Sequence, residues 1–245
     1  MSSGLRLGSA WREPLLLAEL TVALRRAAEE RGYRVTVSND FRTFAEVCGR
    51  CRNQKVSPFF DPAVNAELDE RAFWLAANDE SGATVSLNAY RIDLAEPSFA
   101  DWAPGWIMGL YLRRGELLVP KAVSPPASSV TERVSGRVVY HGEVWIDASA
   151  RSKGLLDILP RLGMFITMIK WQPDAMWGII GKSMATRGQV VRLGYSHMER
   201  GFLQWEFLPE GGEDVEWLVI AQHDELELLV QETELRVRTG RLVEM

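Results

Sequence analysis

The chain predicts a mixed α/β (α+β) fold, with helices and strands interleaved along its length. Three observations lead there. An amphipathic helical pattern opens the chain over residues 14–31, and two strand-like runs separated by turn chemistry follow at 72–92. A strand then passes through a small basic turn into a long apolar-periodic helix after Glu143. At 245 residues, with 47% hydrophobic and 25% charged side chains, the chain can bury a sizeable core.

The elements follow in order. In the first helix Leu15, Leu16, Ala18, Leu20, Val22, Ala23 and Leu24 supply the apolar side, and Gly32 is the natural stop. Tyr33–Val37 alternates as a short strand. Asn39 is the expected cap of a helix through Phe41, Phe44 and Val47, and Asp61-Pro62 opens a short helix or turn. Ala72–Ala77 and Thr84–Ile92 form an antiparallel hairpin about Asn78-Asp79-Glu80-Ser81-Gly82. The proline-rich segment 93–136, with Trp102, Trp106 and Tyr111, is expected as an insertion, part packed and part flexible. It is too short for a core of its own. Arg137–Tyr140 and Glu143–Asp147 are strands about a break at Gly142. Leu155, Ile158, Leu162, Phe165 and Ile169 then mark one helix face, in which Pro160 should introduce a kink or shift the start. Met176–Ile180 is a strand, Ser183–Leu193 a helix closed by Gly194, and Tyr195–Phe207 and Glu216–Ala221 the last strands. Asp224–Val237 is the final helix, with Leu226, Leu229 and Val230 inward. The expected organisation is an N-terminal helical extension, 1–32, and one domain, 33–245.

Several functions are excluded or disfavoured. A formal net charge of −5 argues against a nucleic-acid partner. No apolar run approaches the roughly 20 residues of a membrane span, and Met1–Leu20 lacks the pattern of a secretory signal. The expected location is cytoplasmic. Cys48 and Cys51 lie late in a helix without a second pair or histidines beside them. This makes no zinc site and argues for ordinary reduced thiols over a redox pair, so no metal is expected.

The segment Glu143–Leu156 carries the chemical suggestion. A strand enters the turn Arg151-Ser152-Lys153-Gly154, and a helix leaves it, so turn amides and a helix N-terminus can face an anion. Arg151, two residues, then Gly154, together with the element order and Gly194-Tyr195 after the next helix, resembles the GNAT acyltransferase superfamily over roughly residues 33–207. Leu156 stands where the family usually has a small residue.

This resemblance implies a mixed, mostly antiparallel central sheet flanked by helices, an N-terminal helix and an insertion before the motif strand. It implies acetyl-CoA, or another acyl-CoA, as cofactor. The amides of Arg151, Ser152, Lys153, Gly154, Leu155 and Leu156 would hold its pyrophosphate. The edges of Trp145, Ile146 and Asp147 would pair with the pantetheine arm, and the thioester would lie between this strand and Gly178–Ile180. The activity implied is N-acylation of a small-molecule or protein amine. The alternative is a non-catalytic module of the same fold that binds acyl-CoA or a protein partner. Glu143 is the first candidate base and shares a strand face with Trp145 and Asp147 by period two, although it also fits an exposed strand carboxylate. His141 is the second, with a solvated residue before a glycine bend as its plain reading. The tyrosine often found before the Gly-aromatic pair is replaced by Val190, which cannot donate a proton, so Tyr195 and His197 are the substitutes to weigh. Trp102, Trp106 and Tyr111 serve either an acceptor wall or ordinary burial. The terminal helices leave a homodimer and a monomer equally open.

Overall fold

The computed structural model describes residues 13–115, 120–122, 129–205 and 215–243. In chain order the elements are α1 (Pro14–Glu29), β1 (Arg34–Ser38), α2 (Phe41–Arg52), α3 (Leu68–Arg71), β2 (Ala72–Asn78), β3 (Thr84–Ala95), α4 (Phe99–Arg113) and β4 (Pro120–Ala122). They continue with β5 (Gly136–Ile146), α5 (Leu155–Trp171), β6 (Ala175–Ile180), α6 (Lys182–Thr186), α7 (Gln189–Leu193), β7 (His197–Trp205), β8 (Val215–Gln222) and α8 (His223–Arg238). The strands form an eight-stranded sheet in the order β1-β2-β3-β5-β6-β8-β7-β4. Among the described residues only β5 and β6 pair in parallel, and the other neighbours are antiparallel. Among the described residues no helix is long and apolar enough to cross a membrane.

Alternation along the strands feeds two apolar layers, one on each face of the sheet. One face packs under α1, α5 and α8 through Leu17, Leu20, Leu24, Leu159, Phe165, Leu226 and Leu229. The other packs under α2 and α4 through Phe41, Phe44, Ile107, Leu110, Tyr140 and Trp177. Helix α1 is therefore a full member of the first layer, with Leu20 and Leu24 buried against the rest.

Several local expectations are corrected. The cap of α2 is Asp40, whose carboxylate accepts the amides of Arg42 and Thr43, while Asn39 reaches instead to the Asp69 carbonyl. A 3₁₀ turn at Pro58–Phe60 precedes Asp61-Pro62. The segment 93–136 contains the helix α4, which buries one face through Phe99, Ala103, Ile107, Leu110 and Tyr111 and is capped by Ser98 on the Asp101 amide. Residues 116–119 and 123–128 of that segment lie outside the described residues, as does Phe207. Pro160 leaves α5 continuous. It falls in the second turn, and the Tyr90 hydroxyl donates to its carbonyl at 3.0 Å. Gly163, one turn on, lets that ring approach, since a Cβ there would collide with it. The helix expected at 183–193 is two, α6 and α7, because Gly188 at φ 68° turns the chain between them.

Candidate active site

Strands β5 and β6 run side by side only briefly. Their parallel register joins Val138 to Ala175, Val139 to Met176 and Tyr140 to Trp177. Beyond that, β5 follows β3, with Trp145 opposite Leu87, whereas β6 follows β8, with Ile180 opposite Trp217. The sheet thus opens at its centre. Gly178 permits the last close approach, since a Cβ there would meet the His141 carbonyl oxygen at 2.7 Å.

The opening coincides with a bulge in β5. Ala89 faces Gly142 and Leu87 faces Trp145, so two residues, Glu143 and Val144, stand against Asn88. Glu143 takes φ 56°. The expected period-two face of Glu143, Trp145 and Asp147 is thereby set by a bulge and not by plain alternation. Val144 and Ile146 pack toward the α1/α5/α8 layer, and Trp145 packs toward the α2/α4 layer.

At the end of β5, Asp147 accepts the Ser149 amide at 2.9 Å and its hydroxyl at 2.6 Å, which closes a 3₁₀ turn over Ala148–Ala150. Two left-handed residues follow, Ser152 at φ 63° and Gly154 at φ 79°, and α5 begins at Leu155. The amides of Asp157 and Ile158 return to the Gly154 carbonyl. Those of Ser152, Lys153, Gly154, Leu155 and Leu156 donate to no protein atom among the described residues. A run of unmatched amides at a helix head is an anion site by its own electrostatics.

Four of these five residues, Ser152, Gly154, Leu155 and Leu156, line a cleft of about 570 Å³. One wall is Val144, Trp145 and Ile146; the floor is Arg151, Ser152, Gly154, Leu155 and Leu156. The far wall comes from α6, α7 and the turn between them, through Ser183, Met184, Arg187, Gln189 and Arg192. Asp147 and Lys153 stand beside the cleft without lining it. Arg151 and Arg187 are exposed, so their charge faces water and any ligand. The sequence reading missed the far wall. Its signal was present in Arg187 and Arg192, cations in the segment of two short helices that follows a strand ending at the opening.

Neither candidate base lines the cleft. The Glu143 carboxylate is ion-paired with Arg52 of α2 and accepts the Ser57 amide at 2.7 Å. His141 is buried on the other face of the sheet and stacks on Tyr90 with centroids 4.5 Å apart. With Asn88 Oδ1 as acceptor at 3.1 Å, Nε2 carries the ring proton, and Nδ1 accepts from the Tyr195 hydroxyl at 3.2 Å. Burial pushes His141 down to about 3, so the ring is neutral at ordinary pH. Burial likewise raises the Tyr195 phenol above its ordinary range. Val190 packs in the core below, and His197 Nε2 donates to the Glu199 carboxylate at 2.9 Å. Trp102 and Trp106 stack on each other at 4.8 Å and stand edge-on to Trp177, and both are partly exposed. Cys48 is buried and its thiol is pushed up to about 12, chiefly by burial. Among the described residues no cluster of histidine, cysteine or carboxylate groups could hold a metal.

No protein-family model matches the chain, and no curated protein matches it. Among solved structures it is similar to Arabidopsis thaliana NAA60 in complex with acetyl-CoA, at 12% identity and a TM-score of 0.46, over 78% of this chain and 99% of that one. It is similar to the spermidine/spermine N-acetyltransferase SpeG from Vibrio cholerae, in mutant form, at 9% identity and a TM-score of 0.46, over 80% and 97% of the two chains. It is also similar to an aminoglycoside acetyltransferase in complex with coenzyme A and kanamycin, at 10% identity and a TM-score of 0.42, over 79% and 98%.

Proposed function

We propose that the chain is a GNAT-type N-acyltransferase that uses acetyl-CoA or another acyl-CoA to acylate an amine. The observation that carries this is the run of unmatched amides from Ser152 to Leu156, opening on a cleft beside the parted strands. The fit is chemical. A diphosphate needs many donors and few side chains, which this turn offers, and Arg151 and Arg187 add charge at the rim. The exposed backbone edge of β5 from Val144 to Ile146 offers main-chain partners to an amide-bearing arm.

Acyl-coenzyme A, when bound, would supply the thioester carbonyl for attack, and coenzyme A would leave as the thiolate when the carbon–sulfur bond breaks. The remaining work falls to the chain. The amides and the parted strands align the reacting groups, which is worth much of the rate when the geometry is fixed. Glu143, on the bulge where β5 leaves β6, is the carboxylate we assign to the amine proton; it is buried against Arg52 and the Ser57 amide in this structure, so that role requires it to leave the ion pair when the acceptor binds. His141 stays neutral below the site and orients the Tyr195 hydroxyl. The acceptor approaches along the α4 face, where Trp106 and Trp145 are partly exposed.

One observation favours a second reading, a module that binds acyl-CoA without transferring it. Glu143 and His141 are both committed to protein partners, and Val190 offers no proton. Calorimetric titration with acetyl-CoA, followed by thiol release across a panel of amines, decides between them. Binding with release supports the enzyme, and Glu143→Gln should then lower kcat at least tenfold while the affinity for coenzyme A stays within twofold. Binding without release from any amine supports the module. Absence of binding removes both.

A further inference from the structure

Arg192 lines the cleft, yet its guanidinium does not face it freely. Nε and Nη2 grip the Asp157 carboxylate at 2.9 and 2.5 Å, a fork on a fork. Asp157 is buried in the first turn of α5, the helix whose leading amides form the floor of the cleft. Arg161, one turn on and also buried, donates to the Asp157 carbonyl at 2.9 Å and to the Arg192 carbonyl at 2.7 Å, with a second contact to Val191 at 3.3 Å. The end of α7 is thus fastened to the start of α5 by side chains from both.

The electrostatics make this arrangement informative. A carboxylate in the first helical turn satisfies the positive end of the helix by itself. It also repels any anion brought to the same amides, and strongly so where little water intervenes. A helix head meant for a diphosphate is a poor place for an unaccompanied aspartate.

We infer that Arg192 serves the cleft as the counter-ion of Asp157, a positioning residue that cancels a repulsive charge beneath the amides, and that the anion itself is met by those amides with Arg151 and Arg187. The inference rests on the proposed cofactor reading for its natural ligand, but its electrostatic content applies to any diphosphate.

The test is a double-mutant cycle on the full chain, read by calorimetric Kd for two probes, coenzyme A and inorganic pyrophosphate. Arg192→Ala should weaken both at least tenfold. Asp157→Asn alone should bind as tightly as the unaltered chain or more tightly. The double variant should return to within threefold of the unaltered chain. The same cycle between Asp157 and Arg187 should show no such rescue. A double variant as weak as Arg192→Ala would make Arg192 a direct ligand and overturn the inference. So would a loss above threefold in Asp157→Asn with its near-ultraviolet circular dichroism intact, a comparison that holds even if Arg192→Ala fails to fold. If pyrophosphate binds and coenzyme A does not, the proposed function falls and the pyrophosphate cycle judges the inference alone. If neither probe binds the unaltered chain, both are wrong.

Discussion

His141 shows how burial can decide what a residue is unable to do. A histidine before a glycine, on a strand at the centre of the sheet, has the chemistry of a general base in sequence. In the structure both ring nitrogens are engaged and the ring lies between Tyr90 and Tyr195. The consequence is measurable as linkage. The folded state holds the ring neutral down to about 3, whereas in the unfolded chain it protonates near pH 6.5. The unfolded state therefore binds the extra proton between those limits. The stability this group contributes is complete above about pH 6.5 and is lost as the pH falls toward 3. His141→Gln, which cannot titrate, should remove this loss. In urea denaturation between pH 7 and pH 4 the stability of the unaltered chain should fall relative to the variant, with a slope approaching about 1.4 kcal/mol per pH unit. Parallel curves would mean that the ring takes up its proton while folded.

At the scale of elements, much of the order of strands and helices was legible, for identifiable reasons. The hairpin β2–β3 carried its turn in Asn78–Gly82, and Asp79 does gather the Ser81 and Ala83 amides there. Helix α8 carried Leu226, Leu229 and Val230 at helical spacing, and they are buried. Helix α4 was hidden behind Pro97 and Pro104, although Ser98 and Asp101 spelled its cap. The cleft was half legible. The strand, turn and helix of its floor are contiguous in sequence, whereas its far wall is assembled by tertiary packing of α6 and α7. Gly188 separates those two helices. A Cβ there would meet no atom within 4 Å, so the cost of replacing it is purely one of backbone conformation at φ 68°. Gly188→Ala should destabilise the chain by about 1 kcal/mol in chemical denaturation. No loss, or a gain, would show that α6 and α7 can merge into the single helix expected from sequence.

The whole molecule is a sheet held between two apolar layers, and neither layer is dispensable. Helix α1 reads as an extension because it precedes the first strand, yet Leu17, Leu20 and Leu24 lie in the same packed layer as α5, the helix that heads the cleft. Burying three leucines is worth roughly 5–9 kcal/mol, comparable with the 5–15 kcal/mol that holds a typical domain together. A chain starting at residue 33 should therefore lose its near-ultraviolet circular dichroism and its cooperative melting. A sharp transition in that shortened chain would mark α1 as an appendage.

The bulge at Glu143 has a further implication for how this chain can vary. Because Glu143 and Val144 together stand against Asn88, losing one of them would close the bulge and leave Trp145 still opposite Leu87, with Trp145 and Ile146 in the layers they now occupy. A second loss has no such slack to draw on and would turn the side chains that follow to the opposite layer. The strand thus carries one residue in reserve, and that spare residue lies beside the carboxylate at the opening of the sheet.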